Sequence, residues 1–297
     1  MKIVVTGSSG RIGRAIHFNL CTDHEVLGID RIPSSATARQ GDIGDPVFLA
    51  AAFKGTDAVI HAAALHAPHV DIETNSAFER INVEGTQTVV RAARDAGVAR
   101  LIYTSTTALY GHASRHPDRA TWVDEGTPPQ PRTIYHRTKL AAEHYLQSVA
   151  NQDLRIVSLR ISRCFPEPAP LMSAYRLHRG VDARDVAQGH RLALDVDGPS
   201  HQMFILSGAT PFQHGDCSAL KTDPEAVISQ RCPALLTLFR KRGWPLPESI
   251  DRVYDSSLAQ AVLGWSPRYG FEDIVRLLDA GISEVLPPQA EGTRIRE

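Results

Sequence analysis

From Lys2 to Gly13 the chain reads KIVVTGSSGRIG, a short β-branched run followed directly by three glycines. The run predicts a buried strand, and the glycines predict a tight turn into a helix. Glycines at such a junction let a ligand approach the backbone closely, while the free N–H groups at the helix start favour a pyrophosphate. Asp30 follows Gly10 by about twenty positions and ends another apolar run, as expected for a carboxylate that binds ribose hydroxyls. The stretch therefore predicts a dinucleotide site.

Strand and helix signals alternate through the first half of the chain. This alternation predicts an α/β fold, a Rossmann-type doubly wound parallel sheet with helices on both faces. The predicted strands are residues 2–6, 25–30, 57–62, 99–105 and 154–160. The predicted helices are residues 11–20, 46–53, 77–96 and 132–150.

The second half is less regular and predicts a smaller C-terminal lobe. We expect residues 1–160 to form the dinucleotide-binding Rossmann domain, which also receives segments around 181–207. We expect residues 161–297 to form mainly a substrate-binding lobe. The predicted elements here are a helix that opens at 181–186, a strand at 203–207, an amphipathic helix at 233–242, closing helices at 258–265 and 271–286, and a polar tail over the last ten residues.

Composition excludes several classes of partner. Of the 297 residues, 42% are hydrophobic and 22% are charged, and the formal net charge is −1. A charge this close to zero gives no general attraction to nucleic acid or to anionic membranes, so we expect neither as a partner. No apolar run approaches the length of a membrane span, and the first predicted strand leaves no room for a signal peptide. We therefore expect a cytoplasmic protein.

The cysteines and histidines give no metal signature. The four cysteines are scattered and form no CxxC pair, which predicts free thiols in a reducing compartment. His61, His66 and His69 lie close together in sequence, but we expect structural or substrate-facing roles for them and no metal site.

Tyr135 and Lys139 lie one turn apart on a predicted helix and hence on one face. A free tyrosine has a pKa near ~10 and is a poor base at neutral pH. A nearby ammonium, together with a positively charged nicotinamide ring, favours the phenolate and lowers that pKa. The pair therefore predicts a tyrosine that exchanges a proton with a substrate oxygen while a hydride moves to or from the cofactor.

The glycine spacing, GxxGxxG rather than GxGxxG, resembles that of the extended short-chain dehydrogenase/reductase family of epimerases, dehydratases and related dehydrogenases. Further segments resemble the same family and together cover most of the chain. They are HAAA at 61–64, NVEGT at 82–86, DE at 124–125, YxxxK at 135–139, RVYD at 252–255 and LGW at 263–265. The resemblance implies an enzyme with NAD as cofactor and a homodimeric assembly.

The resemblance also implies which residues hold the cofactor. These are Gly7, Ser9, Gly10, Arg11, Ile12, Gly13, Asp30, Arg31, Asp42, Ile43, His61, Ala62, Ala63, Asn82, Thr104, Tyr135 and Lys139. Asp30 favours NAD over NADP because a carboxylate repels a 2′-phosphate. Arg31 complicates this preference, since an adjacent arginine partly accommodates the same phosphate.

Residues 103–111, YTSTTALYG, are similar to a family segment in which a hydroxyl side chain hydrogen-bonds the reacting oxygen. Counting back from the Tyr-Gly pair gives Thr106 this catalytic role beside Tyr135 and Lys139. Ser105 and Thr107 remain alternatives. The predicted substrate-binding residues are Thr106, Thr107, Arg163 and Arg252.

The chain departs from the nucleotide-sugar epimerases after the fifth predicted strand. Those enzymes have an RxxNxYGP segment there, whereas this chain has Arg163 in place of the Asn and only about a dozen residues between Pro166 and Val181. The short CxPEP segment is more like the uronate dehydrogenases, which hold a substrate carboxylate with an arginine. Arg176 and Arg179 are the candidates for that role. Arg252 favours the opposite interpretation, because its counterpart in nucleotide-sugar enzymes binds phosphate.

Three hypotheses follow. The leading one is an NAD-dependent oxidoreductase that acts on a hydroxyl or carbonyl of a sugar or sugar acid. The second is a nucleotide-sugar epimerase or dehydratase that retains its NAD. The third is a regulator that binds NAD without catalysis, which the intact pair of Tyr135 and Lys139 argues against. Sequence leaves open the substrate, the direction of reaction and the oligomeric state.

Overall fold

A seven-stranded parallel sheet forms the centre of the structure, a computed structural model that describes residues 1–288. The strands are β1 (Lys2–Thr6), β2 (Glu25–Asp30), β3 (Arg39–Gln40), β4 (Ala58–His61), β5 (Arg100–Thr106), β6 (Thr121–Val123), β7 (Arg155–Ile161), β8 (His201–Leu206) and β9 (Arg252–Tyr254). The large sheet has the order β3-β2-β1-β4-β5-β7-β8, and β6 pairs with β9 in a small second sheet. The order reverses direction at β1, which is where doubly wound sheets bind their ligands.

Helices cover both faces of the large sheet. The helices are α1 (Arg11–Leu20), α2 (Pro46–Ala52), α3 (Asn75–Phe78), α4 (Gly85–Asp95), α5 (Ile134–Val149), α6 (Ala169–Arg176), α7 (Ala183–Ala193), α8 (Cys217–Thr222), α9 (Pro224–Arg231), α10 (Pro233–Arg242), α11 (Ser257–Leu263) and α12 (Phe271–Asp279). One face packs against α1, α7 and α11, and the other packs against α2, α4 and α5. The predicted Rossmann-type class is confirmed.

The strand sequences explain why both faces are covered. In β1, Ile3 and Val5 point into one apolar core while Val4 points into the other, and all three are buried. In β4, Ile60 and Val59 divide in the same way. Parallel strands that are apolar at every position require helices on both faces, because neither face tolerates water. This packing fixes the sheet edge at which the functional residues meet.

A separate apolar core is built mostly from the second half of the chain. Helices α8, α9 and α10 bury Leu220, Ile228, Leu235 and Phe239 together with Val253 from β9. Strand β8 pairs with β7 in the large sheet, and β6 pairs with β9 in the small one. Because β7 and β8 lie between β6 and β9 in the sequence, the chain passes between the two sheets more than once.

Three predicted elements differ in the structure. The helix expected over 77–96 is divided by a π-helical turn, Glu79–Glu84, whose wider backbone places Asn82 against the loop after β4. The helix expected over 271–286 ends at Asp279. Gly281 takes the left-handed φ of +66°, and the N–H of Ile282 donates to the Leu277 carbonyl over 3.0 Å, which closes a Schellman cap. The helix expected over 258–265 ends at Leu263, where Gly264 takes the left-handed φ of +64°.

Several short elements have no counterpart in the sequence prediction. They are β3, β6, β9, α6, α8 and α9. Within residues 1–288, no helix is both long and apolar enough to cross a membrane. In the same part of the chain, no group of three or more His, Cys, Asp or Glu side chains could hold a metal ion. The predicted polar tail lies, apart from its first residue, outside the described residues.

Candidate active site

A cleft of about 700 Å³ runs along the carboxyl ends of β1, β2, β4, β5 and β7. The glycine-rich loop after β1 lines the cleft, and so do Tyr135, Lys139 and Thr106. Arg163, from the loop after β7, lines it as well. Because β5 lies between β1 and β7 in the sheet, Thr106 lies between the glycine-rich loop and the Arg163 loop. One cleft therefore joins most of the residues that the sequence singled out.

The glycine-rich loop is shaped for a close ligand. Gly7 has a φ of +73°, and a Cβ there would lie 2.6 Å from the Ala63 nitrogen. A Cβ on Gly13 would lie 2.0 Å from the Gly7 carbonyl oxygen, so α1 packs directly on the loop. Gly10 is the N-cap residue of α1 and has no side chain that could accept a hydrogen bond. The first N–H groups of the helix can therefore donate to an anion. These features fit the pyrophosphate of a dinucleotide.

Asp30 lies beside this loop in a fixed orientation. Its two carboxylate oxygens accept hydrogen bonds from the backbone N–H groups of Ser9 and Ile32, both at 3.0 Å. Each oxygen keeps a second lone pair for a ribose hydroxyl. Arg31 lies 3.8 Å from the Asp42 carboxylate, and both residues line the cleft. Asp42 therefore neutralises part of the Arg31 charge, which would otherwise help to accommodate the 2′-phosphate of NADP.

His61 lies beneath the cleft and does not line it. Its side chain is fully buried, with Nδ1 2.7 Å from the Thr6 hydroxyl and Nε2 3.0 Å from the Thr86 hydroxyl. Burial lowers the pKa of His61 to about 3, so the ring is neutral. The prediction of direct cofactor contact is thus corrected for this side chain. The adjacent Ala62 and Ala63 line the cleft, and His61 supports them.

Asn82 is also a supporting residue and not part of the lining. Its carboxamide accepts a hydrogen bond from the Leu65 N–H at 2.8 Å and donates to the Leu65 carbonyl at 3.0 Å. It donates as well to the Thr138 hydroxyl on α5, at 3.1 Å. Asn82 therefore ties the loop after β4 to the helix that carries Tyr135. The sequence predicted that Asn82 holds the cofactor, whereas the structure places it behind the residues that line the cleft.

Helix α5 presents Tyr135 and Lys139 on one face, as predicted. Its N-cap is Thr133, whose hydroxyl accepts the His136 N–H at 3.3 Å. Both side chains are buried. The Lys139 ammonium donates to the Thr104 carbonyl at 2.7 Å and lies 3.9 Å from the centroid of the Tyr103 ring. The lysine is therefore held by β5, the strand that also supplies Thr106.

Burial sets the protonation of this pair. Burial lowers the pKa of Lys139 to about 7, although the negative charge of Glu143 acts in the raising direction. It raises the pKa of Tyr135 to about 12, while a hydrogen bond with Thr106 acts in the lowering direction. The sequence argument combined the Lys139 ammonium with the nicotinamide ring, and in the protein alone desolvation outweighs the lysine. The positive nicotinamide ring is the other charge in that argument.

The structure separates the three hydroxyl candidates. The Thr106 hydroxyl, at the end of β5, acts to lower the pKa of Tyr135 and accepts the Ala108 N–H at 3.1 Å. Thr107 lines the cleft, and the Ser105 hydroxyl is buried without a hydrogen-bond partner. The Thr104 hydroxyl is 2.8 Å from Nε2 of His190, so this residue serves the site through its carbonyl. The contact with Tyr135 favours Thr106.

Away from the glycine-rich loop and Arg31, the cleft is lined by three arginines: Arg163, Arg179 and, at the start of β9, Arg252. Nε of Arg163 donates to Glu167 at 2.7 Å, and Nε of Arg252 donates to Asp251 at 3.0 Å. Arg179 is 3.9 Å from Asp251.

Two carboxylates, Glu167 and Asp251, lie beside these three guanidinium groups. Burial alone would raise the pKa of Asp251, but Arg252 and Arg179 hold it down at about 2, so this carboxylate is ionised. The arrangement suits a substrate that carries an anionic group. Arg176, the other candidate from the sequence, is buried against Asp182 at 2.9 Å and does not line the cleft.

An aromatic contact that the sequence did not reveal lies in the same lining. The ring of His66 stacks on Phe165, with centroids 5.7 Å apart and the planes 24° from parallel. Burial and the charges of His69 and Lys139 lower the pKa of His66 to about 4, so the imidazole is neutral. Phe165 follows β7 and so lies at the carboxyl edge of the sheet, where ligands bind. This position was the sequence signal that could have placed Phe165 in the site.

A model of the NAD dependent epimerase/dehydratase family matches residues 3–170, more than half of the chain. The chain belongs to this family. The family's description names NAD, and the glycine cradle and Asp30 described above fit that cofactor. The family resemblance inferred from the sequence is confirmed.

Two curated relatives illustrate the range of activities in the family. A UDP-glucose 4-epimerase of Streptomyces lividans is 28% identical over 225 residues, which are 67% of this chain and 64% of the relative. An L-arabinose 1-dehydrogenase (NAD(P)(+)) of Haloferax volcanii is 32% identical over 175 residues, 54% of this chain and 66% of the relative. The chain thus spans just under two thirds of the length of each.

The solved structure of MoeE5 in complex with UDP-glucuronic acid and NAD has a similar fold. Its TM-score is 0.67 at 22% identity, and the match covers 93% of this chain and 97% of MoeE5. Together with the parallel sheet, this likeness establishes the Rossmann-type architecture.

Proposed function

We propose that this enzyme oxidises or reduces one carbon of an anionic, sugar-type substrate, with Tyr135 as the acid/base. One observation carries the proposal. Tyr135 and Thr106 line the same cleft as the glycine-rich cradle, Arg163, Arg179 and Arg252. A substrate anion held by the arginines would bring a neighbouring hydroxyl to the tyrosine.

Each residue has a definite task in this reaction. NAD, when bound, supplies the hydride acceptor or donor. Tyr135 removes the proton of a substrate hydroxyl as it becomes a carbonyl, or returns a proton in the reverse direction. The Thr106 hydroxyl hydrogen-bonds the same oxygen and stabilises its developing charge. Lys139, fixed by the Thr104 carbonyl, places a positive charge beside the phenolate whenever it is protonated.

The cleft gives less support to a dehydratase. Elimination of water from a sugar needs a second acid/base beside the hydride-transfer group. Among the described residues that line the cleft, the carboxylates are Asp30 and Asp42, which both belong to the ribose end. The second acid/base of a dehydratase would therefore have to be a histidine, His66 or His69, since both line the cleft. We place hydride transfer without loss of water first because it needs only Tyr135.

Two substrate classes fit the anionic group. A nucleotide sugar is favoured by the MoeE5 complex, which matches nearly the whole chain, and by the Streptomyces epimerase. In that case the enzyme would epimerise its substrate and retain NAD. A free sugar acid is favoured by α6, which occupies the short connection after Pro166. The Haloferax dehydrogenase is named for a free sugar, although L-arabinose itself carries no anionic group. We place the nucleotide sugar first and keep the sugar acid as the second candidate.

Product analysis separates the two candidates. The protein would be incubated with NAD and either UDP-glucose, UDP-galactose and UDP-glucuronate or glucuronate, galacturonate and arabinose. An epimerase converts a UDP-sugar without net NADH absorbance, whereas a dehydrogenase forms one NADH for each sugar oxidised. Tyr135→Phe serves as the control without the acid/base. Turnover that persists in this variant contradicts the mechanism, and failure of all six compounds to react contradicts the substrate class.

A further inference from the structure

The chain returns to the cofactor end of the cleft after α12. Residues 282–286, here named the C-terminal strap, follow the Schellman cap at Gly281. The Leu286 N–H donates to the Glu167 carbonyl and the Leu286 carbonyl accepts from the Ala169 N–H, both at 3.0 Å. Val285 is buried in the apolar cluster that joins α6 and α12. The strap is therefore anchored by its own contacts.

Glu284 on this strap reaches the first residue of α1. Its Oε2 accepts a hydrogen bond from Nη2 of Arg11 at 3.2 Å, across 273 positions of sequence. The Arg11 side chain is 22% exposed and that of Glu284 is 54% exposed. Arg11 lines the cleft, and its Nε is buried without a hydrogen-bond partner. The Arg11 guanidinium is thus paired with Glu284 through Nη2, and its Nε–H donor has no partner.

The position of Arg11 gives this ion pair a consequence for the cofactor. Arg11 follows Gly10, the uncapped N-terminus of α1, where the pyrophosphate of a dinucleotide binds. Carboxylate and pyrophosphate oxygens are acceptors of the same kind for a guanidinium. Two anions cannot both make full use of one guanidinium without repelling each other.

We propose that Glu284 competes with the pyrophosphate of NAD for Arg11 and so weakens NAD binding. Glu284 is a positioning residue that acts through Arg11. Because Val285 and Leu286 hold the strap in place, its carboxylate stays near the guanidinium when NAD enters, and its charge opposes that of the pyrophosphate.

Calorimetric titration of NAD tests the proposal. We expect Glu284→Gln to bind NAD about two- to fivefold more tightly than the wild type, the range of an exposed ion pair, with a smaller difference at high salt. ADP-ribose, which keeps the pyrophosphate, should show the same gain, and adenosine, which lacks it, should show none. Glu248→Gln removes the same charge from an exposed position that does not line the cleft and should leave the affinity unchanged.

A double variant isolates the route through Arg11. In an Arg11→Gln background, Glu284→Gln should no longer tighten NAD binding. Affinity of Glu284→Gln equal to or weaker than that of the wild type overturns the proposal, as does a gain that persists without Arg11. Glu284→Ala provides a second variant with the same expected gain. None of these titrations needs turnover, so their outcome is independent of the substrate proposed above.

Discussion

Replacing Glu143 by Gln tests the ion pair that joins the catalytic helix to the sheet. Glu143, on α5, accepts hydrogen bonds from Nε of Arg160 at 3.1 and 3.2 Å and from its Nη2 at 2.6 Å. Both side chains are 5% exposed. Nη1 of Arg160 donates to the Tyr110 hydroxyl at 2.9 Å. The guanidinium depends on Glu143 for its charge balance, since its other hydrogen-bond partner, Tyr110, is neutral at physiological pH.

Glu143→Gln keeps the shape of the side chain but leaves a buried positive charge without a counter-ion. Loss of one partner of a buried pair costs about 3–5 kcal/mol. This is a large share of a typical free energy of unfolding of about 5–15 kcal/mol. We therefore expect urea denaturation, followed by circular dichroism, to show a lower midpoint at an unchanged m-value.

Two controls accompany this measurement. Glu225→Gln breaks the exposed pair with Arg240, whose side chains are 56% and 70% exposed, and should cost no more than about 1 kcal/mol. Replacing both buried partners, Glu143→Leu with Arg160→Met, should recover part of the loss because no charge is left unpaired. A loss in Glu143→Gln as small as that in Glu225→Gln would refute the reasoning.

Other predictions concern the site itself. Tyr135→Phe should abolish turnover and leave NAD affinity within about twofold in a calorimetric titration, since only the hydroxyl is removed. Thr106→Ala should lower kcat on the order of a hundredfold, and a normal kcat would assign the role to another hydroxyl. NAD should bind more tightly than NADP because of Asp30, and Arg31→Ala should widen the difference. The pKa of Lys139 is about 7, below its unfolded value, so the unfolded chain binds more protons between about pH 7 and 10. Unfolding free energy should therefore rise with pH across that window, and the rise should be absent in Lys139→Met.

The sequence by itself determined the features that depend on near neighbours in the chain. Gly7, Gly10 and Gly13 prescribe a strand, a turn and a helix because their backbone requirements are local. Tyr135 and Lys139 share a face of α5 because residues one turn apart always do so on a helix. The early end of α12 was also readable locally, since Gly281 is a C-cap signal that the prediction overlooked.

Only the tertiary structure decided how distant segments pair. It placed His61 beneath the cleft between Thr6 and Thr86, and it turned Arg179 into the cleft while burying Arg176. These placements depend on contacts between residues that are far apart in the sequence. Composition and local spacing do not determine such contacts.

The protonation of the site was decided in the same way. The sequence places Lys139 near Tyr135 and so suggests a lowered tyrosine pKa, but the folded chain removes both groups from water. Burial then raises the pKa of Tyr135 to about 12. Desolvation is a property of the whole surrounding structure, and this is why only the three-dimensional fold determines it.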